Sequence, residues 1–256
     1  MTARHLRIGG LTRPRPQATT HGMCGRFTQK TTPQELAEAF ALAEPPPDLG
    51  ERYNIAPSLD ILAIPNLPGL RLAQAFRWGL VPFWARDPSI GNRAANARAE
   101  TVADKPTFRE AVQRRRCLVL ADGFYEWRTD GKKKTPYWFH RPDQKPFAMA
   151  GLWETWRSPE GGRLQTVCLI TTDANPVVAP VHDRMPVLLL PQDWDHWLNP
   201  TPLSPQQVMP LLRPAPAGFL QARAVSRFVS SAANEGPRCL APAEPDEPSP
   251  KPGLLL

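Results

Sequence analysis

The stretch CLVLADGFYEW (residues 117–127) decides the fold class of this chain and also holds a candidate functional residue. Its first five residues are apolar, a run whose length and composition are typical of a buried strand. The Asp-Gly dipeptide that follows is a turn signal. Beyond the turn, Glu126 stands between Tyr125 and Trp127. The stretch therefore predicts a strand and a turn that lead to a carboxylate in an aromatic setting.

Further strand-like runs lie on the C-terminal side of this stretch, and each is β-branched or alternates apolar with polar residues. They are FAMAGLWETW (147–156), LQTVCLITT (164–172), PVLLL (186–190) and LQARAVS (220–226). Helix signals are fewer. Capping-box patterns begin at Thr32 and Thr107, and two further short helices are predicted at PQDWDHWL (191–198) and SPQQVMPLL (204–212). Because strands outnumber helices and follow one another closely, we expect an α+β fold with a mainly antiparallel sheet.

The chain divides into three parts by composition. Residues 1–22 are rich in Arg, Pro, Thr and Gly without apolar periodicity, and we interpret them as a disordered leader that is absent from the mature protein. Residues 236–256 are rich in Pro and are interpreted as a disordered tail. One continuous domain, residues 23–235, remains between them.

Composition limits the classes of function. Of the 256 residues, 41% are hydrophobic and 21% are charged, which is typical of a soluble globular protein, and no apolar run approaches the roughly 18 residues of a membrane span. The net charge of +7 fits an anionic partner such as nucleic acid. The four cysteines are far apart and form no zinc-ligand pattern, so we expect reduced thiols in a cytosolic protein and no metal. No cofactor motif is present in the sequence, and we expect no cofactor.

Cys24 lies in MCGRF (23–27) and has unusual chemistry if it is the first residue of the mature protein. An N-terminal cysteine has an α-amine with a pKa of about 7.7–8.0 and a thiol with a pKa of about 8.5, so both groups are partly available as nucleophiles near neutrality. The amine forms a Schiff base with an aldehyde, and the neighbouring thiol then closes a five-membered thiazolidine ring. An internal cysteine forms only a reversible hemithioacetal. The predicted chemistry therefore requires a free amine at Cys24.

Two acid/base candidates lie far from Cys24 in the sequence. Glu126 has aromatic neighbours on both sides, and desolvation by such neighbours raises a carboxyl pKa toward the useful range. His182 lies in the Pro-bounded loop of PVHDRMPVLL (180–189), and histidine titrates near neutrality. A surface or structural role remains the alternative for each of these residues.

Two stretches combine features of nucleic-acid binding. NRAANARAET (92–101) surrounds Asn96 and Arg98 with alanines, and it is either a solvated loop or a site in which Arg98 faces a phosphate. FRWGLVPFWARD (76–87) interleaves tryptophans with arginines, and it is either core or a surface that stacks bases and binds phosphates.

Several blocks in order resemble the SOS-response-associated peptidase (SRAP) family. They are MCGRF, RYNIAPS, RWGLVPFW, NARAET, CLVLADGFYEW, FAMAGLWE, ITTDAN, HDRMPV and the final CLAP, and together they cover about residues 23–242. The resemblance implies a single α+β domain with a mainly antiparallel, barrel-like β core flanked by short helices. It also implies a groove for single-stranded DNA.

The family resemblance implies that the protein shields abasic sites in single-stranded DNA during the DNA damage response. Cys24 would react with the ring-opened sugar to give a thiazolidine DNA–protein crosslink, and Asn96 would orient that sugar. Glu126 would shuttle protons, and His182 would promote ring opening. The protein would be a self-crosslinking enzyme of nominal peptidase or lyase class with limited turnover.

The resemblance also implies a set of DNA-binding residues. They are Arg26, Pro57, Arg77, Trp78, Trp84, Arg98, Thr171 and Arg184. We expect a cytoplasmic, nucleoid-associated monomer whose partner is single-stranded DNA with abasic sites.

Three alternatives remain open from the sequence. An N-terminal-nucleophile amidohydrolase also begins Met-Cys-Gly, and a thiol peptidase is the activity in the family's name. A DNA-binding module without covalent chemistry is the third. The leader also leaves three alternatives open for Cys24: translation starts at Met23, the leader is cleaved after synthesis, or Cys24 acts through its thiol alone.

Overall fold

The structure is a computed structural model that describes residues 24–244. The predicted leader, residues 1–22, and residues 245–256 of the predicted tail lie outside the described residues. The predicted domain boundary at residue 235 differs from the structure, because the fold continues beyond it. A 3₁₀ turn spans Pro237–Leu240, Cys239 is fully buried, and Ser226 donates its backbone N–H to the carbonyl of Ala241.

Thirteen strands form two sheets within the described residues. In chain order, β1 to β13 are Phe27–Gln29, Arg52–Ile55, Asp60–Pro65, Gln74–Trp78, Asn96–Arg98, Arg116–Ala121, Gly123–Asp130, Lys133–His140, Phe147–Arg157, Arg163–Asp173, Arg184–Pro186, Leu188–Leu189 and Gln221–Ala224. The helices α1 to α4 are Pro33–Phe40, Arg109–Arg114, Pro191–Trp197 and Pro205–Val208. The strands and helices expected at residues 117–121, 147–156, 164–172 and 191–198 are confirmed to within one residue at their ends.

The larger sheet closes into a five-stranded barrel. Its strands are hydrogen-bonded in the order β10-β4-β3-β6-β9, and β9 pairs again with β10. All of these pairings are antiparallel except β10–β4. Closure removes the unpaired strand edges of the ring. The mainly antiparallel sheet expected from the strand patterns and the barrel-like core implied by the family resemblance are therefore confirmed.

The smaller sheet has the order β13-β8-β7-β1-β2 and packs against the barrel. The stretch at residues 117–127 links the two sheets, since β6 ends at Ala121 and β7 begins at Gly123. Asp122 fixes this crossing because its carboxylate accepts hydrogen bonds from the backbone N–H groups of Lys30 and Thr31. Gly123 has to be a glycine, since a Cβ there would lie 2.2 Å from Nε1 of Trp138.

Both faces of the barrel wall are buried, which explains why its strands are near-continuous apolar runs. On β6, Leu118 and Leu120 join a cluster with residues of all four helices, whereas Cys117 and Val119 join a cluster with the smaller sheet. Successive side chains of a strand point to opposite faces, so one strand supplies both cores. Each fully buried Leu or Val contributes about 1.5–3 kcal/mol relative to an exposed one.

The helices follow their predicted signals with one exception. Thr32 caps α1 with its side chain and forms the full capping box with Glu35, as expected. The capping box expected at Thr107 does not form, because α2 begins later, after Phe108, and Phe108 makes no side-chain cap. The strand-like run at residues 186–190 is divided between the short strands β11 and β12.

Candidate active site

Cys24 and Glu126 meet because β1 and β7 pair in register. Phe27 pairs with Phe124 and Thr28 with Gly123, and extending this register by two residues sets Gly25 opposite Glu126. The backbone N–H of Cys24 donates a 2.8 Å hydrogen bond to Oε1 of Glu126. Two residues that are 102 positions apart thus form one buried contact.

Burial controls the protonation of both groups. Glu126 is 2% exposed, and desolvation raises its pKa to about 8, against the lowering effect of the Cys24 hydrogen bond. Its carboxyl group is therefore mostly protonated at neutral pH. Burial, followed by the charge of Glu126, raises the pKa of the Cys24 thiol well above its usual value. The site thus holds a neutral thiol beside a carboxylic acid.

Asn96 contacts Cys24 from the larger sheet. It begins β5, which runs parallel to β10 and sets Asn96 beside Leu169. Its side-chain Nδ2 donates a 3.3 Å hydrogen bond to the carbonyl of Cys24. Asn96 therefore holds the carbonyl group of Cys24, while Glu126 accepts from its N–H.

His182 completes the group from the loop between β10 and β11. Its Nε2 lies 3.9 Å from Oε2 of Glu126. Its Nδ1 accepts a 3.0 Å hydrogen bond from the backbone N–H of Arg184 and lies 3.1 Å from the Asp183 carboxylate. These contacts orient the ring so that Nε2 faces Glu126. The structure thus brings together all four residues that the sequence analysis named as catalytic.

A cleft of about 390 Å³ opens beside this group. It is lined by Gly25, Arg26, Glu126, Trp127, Thr129, Lys134, His182 and Ser230. Three of these residues, Thr129, Lys134 and Ser230, were not among the site residues expected from the sequence. For Lys134 the GKKK run at residues 131–134 was a visible signal, whereas nothing near Ser230 in the sequence indicates that it reaches the cleft.

Arg26 lines the cleft, but its guanidinium is already engaged. Nη1 donates to Oδ1 of Asn54 at 2.8 Å and to the carbonyl of Val229 at 2.9 Å, and Nη2 donates to the carbonyl of Ser230 at 3.3 Å. The guanidinium also lies 5.8 Å from the ring centre of Trp127. These contacts join the first strand to the C-terminal segment, which is a structural role for this side chain.

Three expected DNA-binding residues are buried, which differs from the expectation. Trp78 is 1% exposed and donates its indole N–H to the carbonyl of Ala95, and Thr171 is fully buried with its hydroxyl on the carbonyl of Ala97. Arg184 pairs through its guanidinium with the carboxylates of Glu100 and Asp173. Their side chains face protein groups, so we leave all three out of the proposed DNA surface.

The other expected DNA-binding residues are accessible. Arg98 is exposed and lies two residues from Asn96 on β5, so the two side chains share a face. Trp84 is 51% exposed, and Pro57 is half-buried in the turn after β2. Arg77 is exposed in a separate depression that it shares with Asp60 and Arg163 and that has no lining residue in common with the cleft.

Residues 24–244 contain no group of three or more His, Cys, Asp or Glu residues that could hold a metal ion. In the same part of the chain, no helix is long and apolar enough to cross a membrane.

Known proteins are similar to this chain in sequence and in fold. The family model for "SOS response associated peptidase (SRAP)" matches residues 23–232. The abasic site processing protein YoqW of Bacillus subtilis is 41% identical over 221 residues, which are 85% of this chain and 99% of YoqW. The abasic site processing protein HMCES of Gallus gallus is 35% identical over 201 residues, which are 68% of this chain and 58% of that protein.

Solved structures agree with these matches. A crystal structure of a protein from Bacteroides thetaiotaomicron has a TM-score of 0.77 at 28% identity, covering 86% of this chain and 100% of that one. A second one, from Bordetella bronchiseptica, has a TM-score of 0.69 at 27% identity, covering 79% of this chain and 100% of that one. Family model, relatives and fold agree, and the chain belongs to the SOS response associated peptidase family.

Proposed function

We propose that this protein recognises abasic sites in single-stranded DNA and joins them covalently through Cys24, which is the first residue of the working protein. The observation that carries the proposal is the contact of 2.8 Å between the Cys24 nitrogen and the Glu126 carboxyl group. With a free terminus, this nitrogen becomes an α-amine held against an acid/base group. The match to the family model begins at Met23, immediately before this residue, which supports Cys24 as the terminus.

The chemistry needs only the groups around the cleft. The amine of Cys24 adds to the C1′ aldehyde of the opened sugar, and Glu126 donates its proton to the resulting hydroxyl, which leaves as water. This gives a protonated Schiff base and a Glu126 carboxylate. The thiol then adds to the same carbon, a sulfur–carbon bond forms, and the thiol proton passes to the carboxylate. The net reaction forms a thiazolidine and releases one water.

Two residues assist these steps in the proposal. His182 exchanges a proton with the sugar to open its ring, and its Nε2 is close enough to Glu126 to share that task. Asn96 holds the carbonyl of Cys24 and so fixes the position of the amine. Burial raises the pKa of the Glu126 carboxyl group toward the pH of the reaction, which suits it to donate and accept a proton.

The relatives support the choice of substrate, since YoqW and HMCES are named abasic site processing proteins. We propose single-stranded DNA as the partner. The accessible residues Pro57, Trp84 and Arg98 would contact it, and Arg77 would contact it farther from the cleft. We further propose a monomer in the cytoplasm, associated with the nucleoid. The self-crosslinking reaction of limited turnover belongs to the same proposal.

The test compares protein that begins at Cys24 with protein that retains residues 1–23. Each is mixed with a single-stranded oligonucleotide that bears one abasic site, and the product is analysed by denaturing gel and intact mass. We expect a denaturation-resistant adduct, lighter by one water than the sum of its parts, only with the form that begins at Cys24. Equal crosslinking by both forms would contradict the free-amine mechanism.

Cys24→Ala separates the amine from the thiol. This variant keeps the α-amine, so we expect an adduct that appears only when borohydride traps the Schiff base. A stable adduct without reductant would exclude thiazolidine formation. Release of ammonia from glutamine, or turnover of unrelated peptides, by protein that forms no DNA adduct would favour the amidohydrolase or the peptidase instead.

A further inference from the structure

Lys134 lies on the wall of the cleft although it is distant from Cys24 and Glu126 in sequence. It pairs with Thr129 across the β7–β8 hairpin, while Trp127 pairs with Pro136. Opposite residues of an antiparallel pair share a face, as do residues two apart on one strand. Trp127, Thr129 and Lys134 therefore form one side of the cleft, and all three line it.

The ammonium of Lys134 is exposed and available to a ligand. Among the described residues, no ion pair or hydrogen bond engages its side chain. Two other cations of the same hairpin are engaged: Arg128 forms an ion pair with Asp130 at 2.8 Å, and Lys133 also has a partner. The positive charge of Lys134 thus faces the cleft without a carboxylate partner among the described residues.

The second cation of the cleft wall cannot serve in the same way. The guanidinium of Arg26 is committed to Asn54, Val229 and Ser230. Releasing it would leave the buried amide of Asn54 and two carbonyl groups without this donor, which costs free energy. Lys134 can therefore bind an anion without the loss of structural hydrogen bonds that Arg26 would incur.

We propose that Lys134 binds the backbone phosphate next to the abasic nucleotide in the DNA strand that occupies the cleft. This inference rests on the proposed function. Thr129, opposite Lys134, is three residues from Glu126, roughly 10 Å along the strand at 3.3 Å per residue. The ammonium thus lies beyond the reacting sugar, at a flanking phosphate, and the Thr129 hydroxyl can donate to the same group.

The first test measures binding without chemistry. The full chain is titrated with a single-stranded oligonucleotide containing a tetrahydrofuran abasic analogue, which has no aldehyde, at several salt concentrations. We expect Lys134→Ala to weaken binding and to reduce the slope of log affinity against log salt by about 0.7, the value for one phosphate contact on a single strand. Lys132→Ala is the matched control, because Lys132 is exposed on the same hairpin but does not line the cleft.

The second test locates the phosphate. Each phosphate flanking the analogue is replaced in turn by an uncharged methylphosphonate. The parent protein should lose affinity at one position next to the lesion, and Lys134→Ala should be insensitive at that position alone. Lys134→Arg should restore the sensitivity, since it restores the charge.

Two results would overturn the role of Lys134. One is an equal effect of Lys134→Ala and Lys132→Ala on the salt slope. The other is a Lys134→Ala protein that responds to every methylphosphonate as the parent does. Because the analogue cannot crosslink, a failure of the Cys24 chemistry with these binding results intact would contradict only the proposed reaction.

Discussion

The backbone nitrogen of Cys24 and Oε1 of Glu126 lie 2.8 Å apart in a buried pair. The position of this contact is set by the pairing of β1 with β7, since Phe27 lies opposite Phe124. The acid/base group is thus fixed by the backbone ladder of the smaller sheet, while β5 of the larger sheet supplies Asn96. The site is built where the two sheets meet.

Glu126→Gln should stabilise the protein at alkaline pH. The pKa of Glu126 is about 8 in the folded chain, above its unfolded value near 4.5. The unfolded state therefore binds fewer protons between these values, so the parent loses stability as pH rises from about 4.5 to 8, by up to about 1.4 kcal/mol per pH unit. Glutamine does not ionise and can still accept from the Cys24 nitrogen. Thermal unfolding of parent and variant at pH 5 and pH 9 should show that the stability of the variant relative to the parent is much greater at pH 9.

The loss of stability with rising pH should be smaller in protein that begins at Cys24. Its α-ammonium would lie against Glu126, and an adjacent positive charge lowers a carboxyl pKa. A pH-independent difference between parent and Glu126→Gln, in the form that retains residues before Cys24, would mean that the carboxyl pKa is not raised by burial.

Glu126→Gln and His182→Gln should each slow crosslinking by about 10²–10⁴-fold, the usual contribution of general acid–base catalysis. Both replacements keep a polar side chain of similar size, so binding to the tetrahydrofuran analogue should stay within a few-fold of the parent. Rates of adduct formation at saturating DNA measure the effect. If either variant crosslinks at the parent rate, that residue does not transfer a proton in the slow step.

Asn96→Ala should reduce crosslinking through position rather than proton transfer. The side chain of Asn96 donates to the Cys24 carbonyl, so its loss frees the residue that carries the nucleophiles. We expect a slower rate whose pH dependence keeps the parent's shape, because Glu126 and His182 are untouched. A shifted pH optimum, measured from adduct formation between pH 5 and pH 9, would show that Asn96 also tunes an ionising group.

The sequence predicts the strands well because the barrel wall is buried on both faces, so that runs such as residues 117–121 are apolar at nearly every position. The strand patterns alone do not predict barrel closure, which only the family resemblance implied. The pairing of β10 with both β4 and β9 joins distant segments, and no local pattern encodes it.

The same limit applies to the site. Trp78 and Trp84 are six residues apart in a single aromatic and basic stretch, yet one is buried in the core and the other is half exposed. Arg26 was expected to face a phosphate, but its partners are 28 and 203 positions away along the chain. Whether an arginine is free depends on such distant contacts, which composition and spacing do not reveal.

Gly123→Ala should destabilise the fold at the crossing between the sheets. The new Cβ would lie 2.2 Å from Nε1 of Trp138, whose indole donates to Thr28 in the same sheet. Overpacking of this kind costs about 1–3 kcal/mol. Gly218→Ala is the control, because its Cβ would meet nothing within 4 Å. Denaturant unfolding of both variants measures the difference, and equal stability would mean that Trp138 moves aside at no cost.

Arg184 and Arg98 should respond to alanine substitution in opposite ways. Arg184 is held by Glu100 and Asp173 and donates to the carbonyl of Thr171. Arg184→Ala should therefore lower the stability by about 1.5–3 kcal/mol, the range for hydrogen bonds to charged groups. Its affinity for the tetrahydrofuran analogue, measured well below the melting temperature, should be close to that of the parent.

Arg98→Ala removes an exposed side chain, so its stability should change by less than about 0.5 kcal/mol. Its affinity for the analogue should fall and become less dependent on salt, since one phosphate contact is lost. Unfolding curves and binding titrations on both variants separate the two roles. The opposite outcome is an Arg184→Ala protein that unfolds like the parent and binds DNA as weakly as Arg98→Ala. That result would mean that Arg184 leaves its carboxylate partners to contact DNA and is not mainly a structural residue.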